Sequence, residues 1–259
     1  MIKKTIVTGM VALMSLAAMA LPAKRGLTNV ITLNDGTKVE VSLVGDEFMH
    51  YWQDANGNKY VPTGEANVFK LADASAVSNL TTRALARKAK AHARRAARRN
   101  LSNATDVFQG KKKGLVILVE FTDVKFKNSD SQTLFNRIAN EAGYNEGYFQ
   151  GSVKDYFLAQ SRGQFELDFD VVGPVKLSHN MKYYGGNDEN GYDLHPEEMI
   201  VEACKGIDSK VDFSKYDWDG DGEVDQVYVI YAGYGEADTG NENTIWPHKY
   251  QLSGASMAL

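Results

Sequence analysis

The run Gly114-Leu-Val-Ile-Leu-Val-Glu-Phe121 constrains this chain more than any other stretch. A near-continuous apolar segment of this length, led in by Lys111-Lys-Lys113, reads as a central strand, so other elements must cover it. The residues that follow supply them. From Ser131 to Glu141 the apolar positions Leu134, Phe135, Ile138 and Ala139 recur at helical spacing. Ser152-Val-Lys-Asp155 has the form of a capping box and opens a helix from Val153 to Gln160. Phe165-Glu-Leu-Asp-Phe-Asp-Val-Val172 alternates as a half-buried strand does, with Pro174 placed after its end. His195-Pro-Glu-Glu-Met199 starts another helix, with proline at the first helical position and two acids in the first turn. The expected fold class is α+β: a twisted mixed sheet from strands near 114–121, 165–172 and 226–232, with helices near 131–141, 153–161 and 196–206.

The third strand, Gln226 to Ala232, is preceded by Asp217-Trp-Asp219-Gly220-Asp221-Gly222-Glu223-Val224-Asp225. Carboxylates stand at loop positions 1, 3, 5 and 9, with a glycine at 6. Hard cations take six to eight oxygens, and such a loop projects alternate side chains inward around a sharp turn. Asp217, Asp219, Asp221 and Asp225 are the expected calcium ligands, with Glu223 contributing its backbone carbonyl. Like charges this close repel, and an ion neutralises them. The loop departs from an EF-hand at position 12, where Tyr228 replaces the bidentate Glu and a strand replaces the exiting helix. The alternative is a solvated acidic turn.

Charge divides the chain. Residues 1–113 hold 18 basic and 8 acidic residues, and residues 114–259 hold 11 and 25. The acidic half does not suit a nucleic-acid binder. Residues 1–20 read as a secretory signal peptide: Lys3 and Lys4, a weakly apolar run from Thr5 to Leu16, then Ala18-Met19-Ala20. The run is too short to remain as a membrane span. Residues 21–80 form a small β unit. Val30–Leu33 and Lys38–Val44 make a hairpin about Asn34-Asp-Gly-Thr37, Phe48–Trp52 and Lys59–Val61 repeat the scheme, and Val68–Leu71 offers a fifth strand. So small a core must lean on something larger. Residues 81–110 follow as a basic connector; Thr82–Arg99 carries eight cations and no acid and is rich in helix formers. Its Arg94-Arg95 and Arg98-Arg99 pairs suit trypsin-like cutting.

Of the remaining candidates, His195 and Glu198 form an H-x-x-E pair that a metal could use, although the helix start explains both. His50 is expected as a core or edge histidine with no partner ligand nearby, His92 as a solvated one, and His248 as a structural one beside Trp246. Cys204, the single cysteine, is expected to be a buried small hydrophobe; it has no adjacent histidine, and no G-x-S-x-G elbow occurs.

Taken in order, Gly114–Phe121, Ser152-Val-Lys-Asp-Tyr-Phe157 with Gln160-Ser-Arg-Gly-Gln-Phe165, Asp217–Asp225 with its strand, Ala232-Gly-Tyr-Gly235 and Ile245-Trp-Pro-His248 resemble the immune-inhibitor-A-type zinc metallopeptidases, secreted bacterial enzymes. The resemblance spans roughly residues 110–250, and Gly45-Asp-Glu-Phe-Met-His-Tyr51 resembles their propeptides. It implies a partial zincin-like peptidase domain over 111–259, a propeptide ahead of it, extracytoplasmic action on protein or peptide substrates, and zinc. Those enzymes hold zinc with H-E-x-x-H on a helix, where the glutamate polarises the bound water. None of the five histidines here is followed by Glu or paired four residues on. No catalytic residue is therefore assigned. The expectation is a precursor portion that stops before its catalytic helix and is inactive alone; the alternative is a non-enzymatic secreted calcium-binding protein or inactive homologue.

Overall fold

A computed structural model describes residues 22–63, 65, 67–101, 107–188, 191–249 and 252 of the chain. The signal-peptide segment 1–20 lies outside the described residues. The chain forms a small barrel, a long helix and a layered α/β unit.

Five strands, β1 (Thr28–Leu33), β2 (Lys38–Asp46), β3 (Met49–Gln53), β4 (Lys59–Pro62) and β5 (Val68–Leu71), close into a barrel in sequence order. Antiparallel pairs carry the hairpins read from the sequence, and the Asp-Gly turn places Thr32 against Lys38. Closure comes from parallel pairing of β1 with β5, Thr32 against Val68 and Leu33 against Phe69. Ile31, Val41, Leu43, Trp52, Tyr60 and Phe69 point inward, and their cluster also includes Ala237 and Trp246 from the other unit. The small unit does lean on something larger.

Helix α1 runs from Ala74 to Leu101, so it starts earlier than the connector read from composition. Asp73 supplies the start: its carboxylate accepts the Ala76 N–H at 2.7 Å. Nor is α1 wholly an exposed connector. Ala84 is buried, the Lys88 ammonium lies 2.9 Å from the Asp46 carboxylate, and the Arg87 guanidinium sits 3.8 Å above the Tyr192 ring. The helix thus touches both the barrel and the unit beyond it. His92 is exposed, as expected.

In the second unit β6 (Gly110–Glu120) is the middle strand, flanked by β7 (Phe165–Lys176) and β8 (Val227–Tyr231). Both pairings are parallel, which corrects the expectation of a mixed sheet. The intervening chain explains this: α2 (Ser131–Asn140) and α3 (Val153–Gln160) carry it back between β6 and β7, and α4 (Met181–Gly185) and α5 (Pro196–Ile207) do so between β7 and β8. Helical crossovers of that length return a strand parallel to the one before. Both faces of β6 are covered. Leu115, Ile117, Val119 and Phe121 pack on Met181, Tyr184, Met199, Ala203 and Ile207, whereas Val116 and Leu118 join Phe165, Leu167, Phe169, Val171 and Ala139.

Two boundaries differ from the sequence reading. The lysines before Gly114 belong to β6, because alternate acids on β7 compensate them: Lys113 Nζ lies 2.7 Å from Asp168 and 2.9 Å from Asp170, and Lys111 3.2 Å from Glu166. Pro174 lies inside β7. That strand is an edge, and its register with β6 shifts between Ile117 and Val119, so the missing N–H costs no ladder bond.

Candidate functional site

The acidic loop connects a tight turn at Phe213–Tyr216 to β8. Trp218 fastens it to the sheet: its indole N–H donates to the Lys113 carbonyl at 2.8 Å, its own carbonyl accepts from Lys112 Nζ at 3.0 Å, and its ring meets Phe165 and Phe108 edge-on. Asp217 organises the turn. One carboxylate oxygen accepts the Gly222 N–H at 2.9 Å, and the other accepts those of Gly220 at 2.7 Å and Asp221 at 3.2 Å. These backbone donors, Gly222 first, hold its carboxyl below the usual range. The Asp225 carboxylate accepts the Trp218 N–H at 2.5 Å.

Asp217, Asp219 and Asp225 each bring an oxygen within 4.8 Å of the others, and among the described residues no other group of three or more histidine, cysteine or acidic side chains does so. Asp221 and Glu223 are outside that set. Asp221 turns its carboxylate to the Glu223 N–H at 2.8 Å. Tyr228 sits in β8 with its ring 5.7 Å from that of Phe169, where it packs and does not ligate. The arrangement provides half-buried carboxylates converging on one point at the entry to β8, a set of hard oxygen donors.

A second constellation lies where the barrel meets the layered unit. α6 (Glu236–Thr239) is one short turn that places Glu236 almost wholly out of solvent. Its Oε1 accepts from Asn187 Nδ2 at 2.9 Å and lies 3.6 Å from Nε2 of His50, on β3. The His50 ring stacks on Trp246 with centroids 4.1 Å apart, and its Nδ1 lies 3.4 Å from the Asp46 carbonyl. Asp193 accepts the Trp246 N–H, and His248 Nδ1 donates to the Trp246 carbonyl at 2.7 Å. Burial dominates every titration here. It pushes Glu236 up to about 9 and Asp193 up to about 7, and pulls His50 down to about 4 and His248 below its ordinary value. His50 is the core histidine expected, and the neighbour that the sequence did not disclose is the Glu236 carboxyl. Sequence reasoning missed Glu236, Asn187 and Asp193. The available signal was that the segments around His50, Gly235 and Trp246 had each stood out separately.

The other singled-out residues stay apart from both groups. His195 caps α5 and its Nδ1 lies 3.1 Å from Glu198, with no third ligand among the described residues. Its ring and that of His179 both stack on the ring of Tyr183, at 4.4 and 3.8 Å. Cys204 is buried in the α5 core, and burial pushes its thiol up to about 11.

A family model described as "Immune inhibitor A peptidase M6, catalytic domain" matches residues 100–259, which include the whole described part of the layered unit. The chain belongs to that family. It is 26% identical over 184 residues to Immune inhibitor A of Bacillus thuringiensis subsp. alesti, across 58% of this chain and 27% of that protein. The chain thus spans about a quarter of the length of the curated relative it matches. The immune inhibitor A peptidases are zinc-dependent. The described residues do not fit that ion, because their single convergent group is all carboxylate and holds no histidine. No described helix is long and apolar enough to cross a membrane.

Proposed function

We propose that these 259 residues are a portion of a secreted zinc metalloendopeptidase precursor. Residues 1–20 direct export, the barrel is a propeptide, α1 carries the basic pairs at which activation cleavage occurs, and the layered unit is the first part of the peptidase domain. Proteins or peptides outside the cytoplasm are the substrates. The observation that carries this reading is the family match over residues 100–259. A calcium ion held by Asp217, Asp219 and Asp225 braces the entry to β8, a structural task that fits a loop fastened to the sheet through Trp218. In the complete site zinc would polarise a water and the scissile carbonyl. No H-E-x-x-H occurs in this sequence, so the 259 residues alone contribute scaffold and no chemical step.

The test is direct. The purified chain, supplied with zinc, should leave a fluorogenic peptide mixture uncut; reproducible cleavage abolished by a chelator would overturn the assignment. A second reading, a non-enzymatic secreted calcium-binding protein, draws on the same carboxylate cluster. Fusing these residues to a family segment that bears H-E-x-x-H separates the two, since only the peptidase reading yields activity that depends on both parts.

A further inference from the structure

Three buried polar atoms lack a hydrogen-bond partner where the barrel meets the layered unit: His50 Nε2, Glu236 Oε2 and Asn187 Oδ1. Unpaired buried atoms are uncommon in folded proteins and ask for an explanation. His50 supplies part of one. Its Nδ1 faces the Asp46 carbonyl, which can only accept, so the ring proton sits on Nδ1 and Nε2 presents a lone pair. Facing it at 3.6 Å is the Glu236 carboxyl. As a carboxylate, Glu236 would set two acceptors against each other in a site closed to water. As a carboxylic acid, it has the one proton that Nε2 lacks.

We infer that the barrel is docked on the layered unit through a single proton shared between Glu236 and His50, so that docking is strongest in mild acid and weakens on either side. The burial-driven shifts agree in sign. Docked, the pair holds one proton from about pH 4, where His50 would charge, to about pH 9, where Glu236 would ionise. Opened to water, with ordinary values of 6.5 and 4.5, the pair holds one proton only between those two values. Above pH 6.5 docking must take up a proton, and below pH 4.5 it must release one. Each limb therefore costs about tenfold in the docking equilibrium per pH unit.

The neighbours modify these limbs without reversing them. From the barrel, Asp46 favours a charged His50 but is paired with Lys88. From α1, Arg87 disfavours that charge. On the layered unit, Asp193 and Glu242 keep Glu236 protonated. Burial of Asp193, which raises it to about 7, adds proton uptake only below pH 7, where burial of His248, which lowers it from 6.5, adds a release of opposite sign. Asp238 is paired with Lys24 at 3.5 Å, and burial raises Tyr231 further above the window.

The Lys24 N–H reports docking, because it crosses between the units to the Ala237 carbonyl at 2.8 Å. Its protection factor in the full chain, the intrinsic exchange rate at each pH divided by the observed rate, should be level from pH 5 to 6.5. It should then fall about tenfold per unit, to about a hundredth at pH 8.5. Glu236→Gln, whose amide still donates to His50, should abolish the alkaline fall. His50→Phe, which keeps the stack on Trp246, should abolish the fall below pH 4.5. Level protection in the wild type across pH 4–8.5, or an alkaline slope that survives Glu236→Gln, would overturn the inference. Should Glu236→Gln not fold, an acid limb that persists in His50→Phe does the same.

Discussion

Gly240→Ala asks how far the barrel and the layered unit depend on each other. Gly240 ends α6 in the left-handed region at φ 66°, and a Cβ built there would lie 2.5 Å from Trp52 Cη2 and 2.8 Å from Cζ2. Two costs add. An L side chain in that backbone region loses about 1 kcal/mol. Forcing a methyl into the filled space beside the indole costs roughly 1–3 kcal/mol more. Gly36 provides the control. It has φ 84° in the β1–β2 turn and nothing within 4 Å of its notional Cβ, so Gly36→Ala pays only the backbone part. At about 2–4 °C per kcal/mol for a chain of this size, Gly240→Ala should melt roughly 4–16 °C below wild type and Gly36→Ala only about 2–4 °C below. Calorimetry on both variants measures the difference. In a Trp52→Phe background, where the ring is smaller, the Gly240→Ala cost should shrink toward the Gly36 value. Equal costs at the two glycines would show that Trp52 does not pack on Gly240 in solution, and the continuous core through Ala237 and Trp246 would be wrong.

The other expectations concern single sites. Asp219→Ala should lower the melting temperature in millimolar calcium and leave it unchanged in chelator, since the Asp219 carboxylate receives only one long backbone bond, from Asp221 at 3.3 Å; an equal fall in both media would remove the ion. Asp217→Ala should destabilise in both media because it also strips the Gly220 and Gly222 N–H groups of their acceptor, while Asp221→Ala should keep the calcium response. Ser152→Ala breaks a cap in which Ser152 Oγ accepts from Asp155 N at 3.2 Å, and should cost about 1 kcal/mol by urea unfolding. Cys204, buried and with its thiol pushed up to about 11, should resist iodoacetamide at pH 8 until the chain is denatured, as mass spectrometry would show.

What could be read from sequence was what is set within a few residues. The apolar run of β6, the alternation of β7, the Ser152 cap and the Asp-Gly hairpin all carry their signal locally, and each element formed there, with β6 beginning earlier and β7 ending later than the pattern indicates. Direction and reach did not. That β6, β7 and β8 run parallel depends on how whole helices cross over, although strands alternating with helices already hinted at it. That β7 continues through Pro174 depends on its being an edge. The loop composition named five acids, but Asp221 spends its carboxylate on the Glu223 N–H, a choice that only the backbone turn determines. The meeting of His50 with Glu236 joins residues far apart in the chain, and no local pattern records it.

The closing pair of strands in the barrel has a consequence for how the chain assembles. Thr32 finds Val68, so the whole barrel is complete within residues 28–71, whereas Leu115 must wait for Val227 before the central strand is flanked on both sides. Loop-closure entropy makes the first contact set quick and the second slow. As a chain emerging from its N-terminus, the protein therefore has every strand of its barrel long before it has every strand of its sheet. Ala237 and Trp246, which complete the barrel's apolar cluster, arrive among the last described residues. The barrel is the template on which the late-arriving segment is seated.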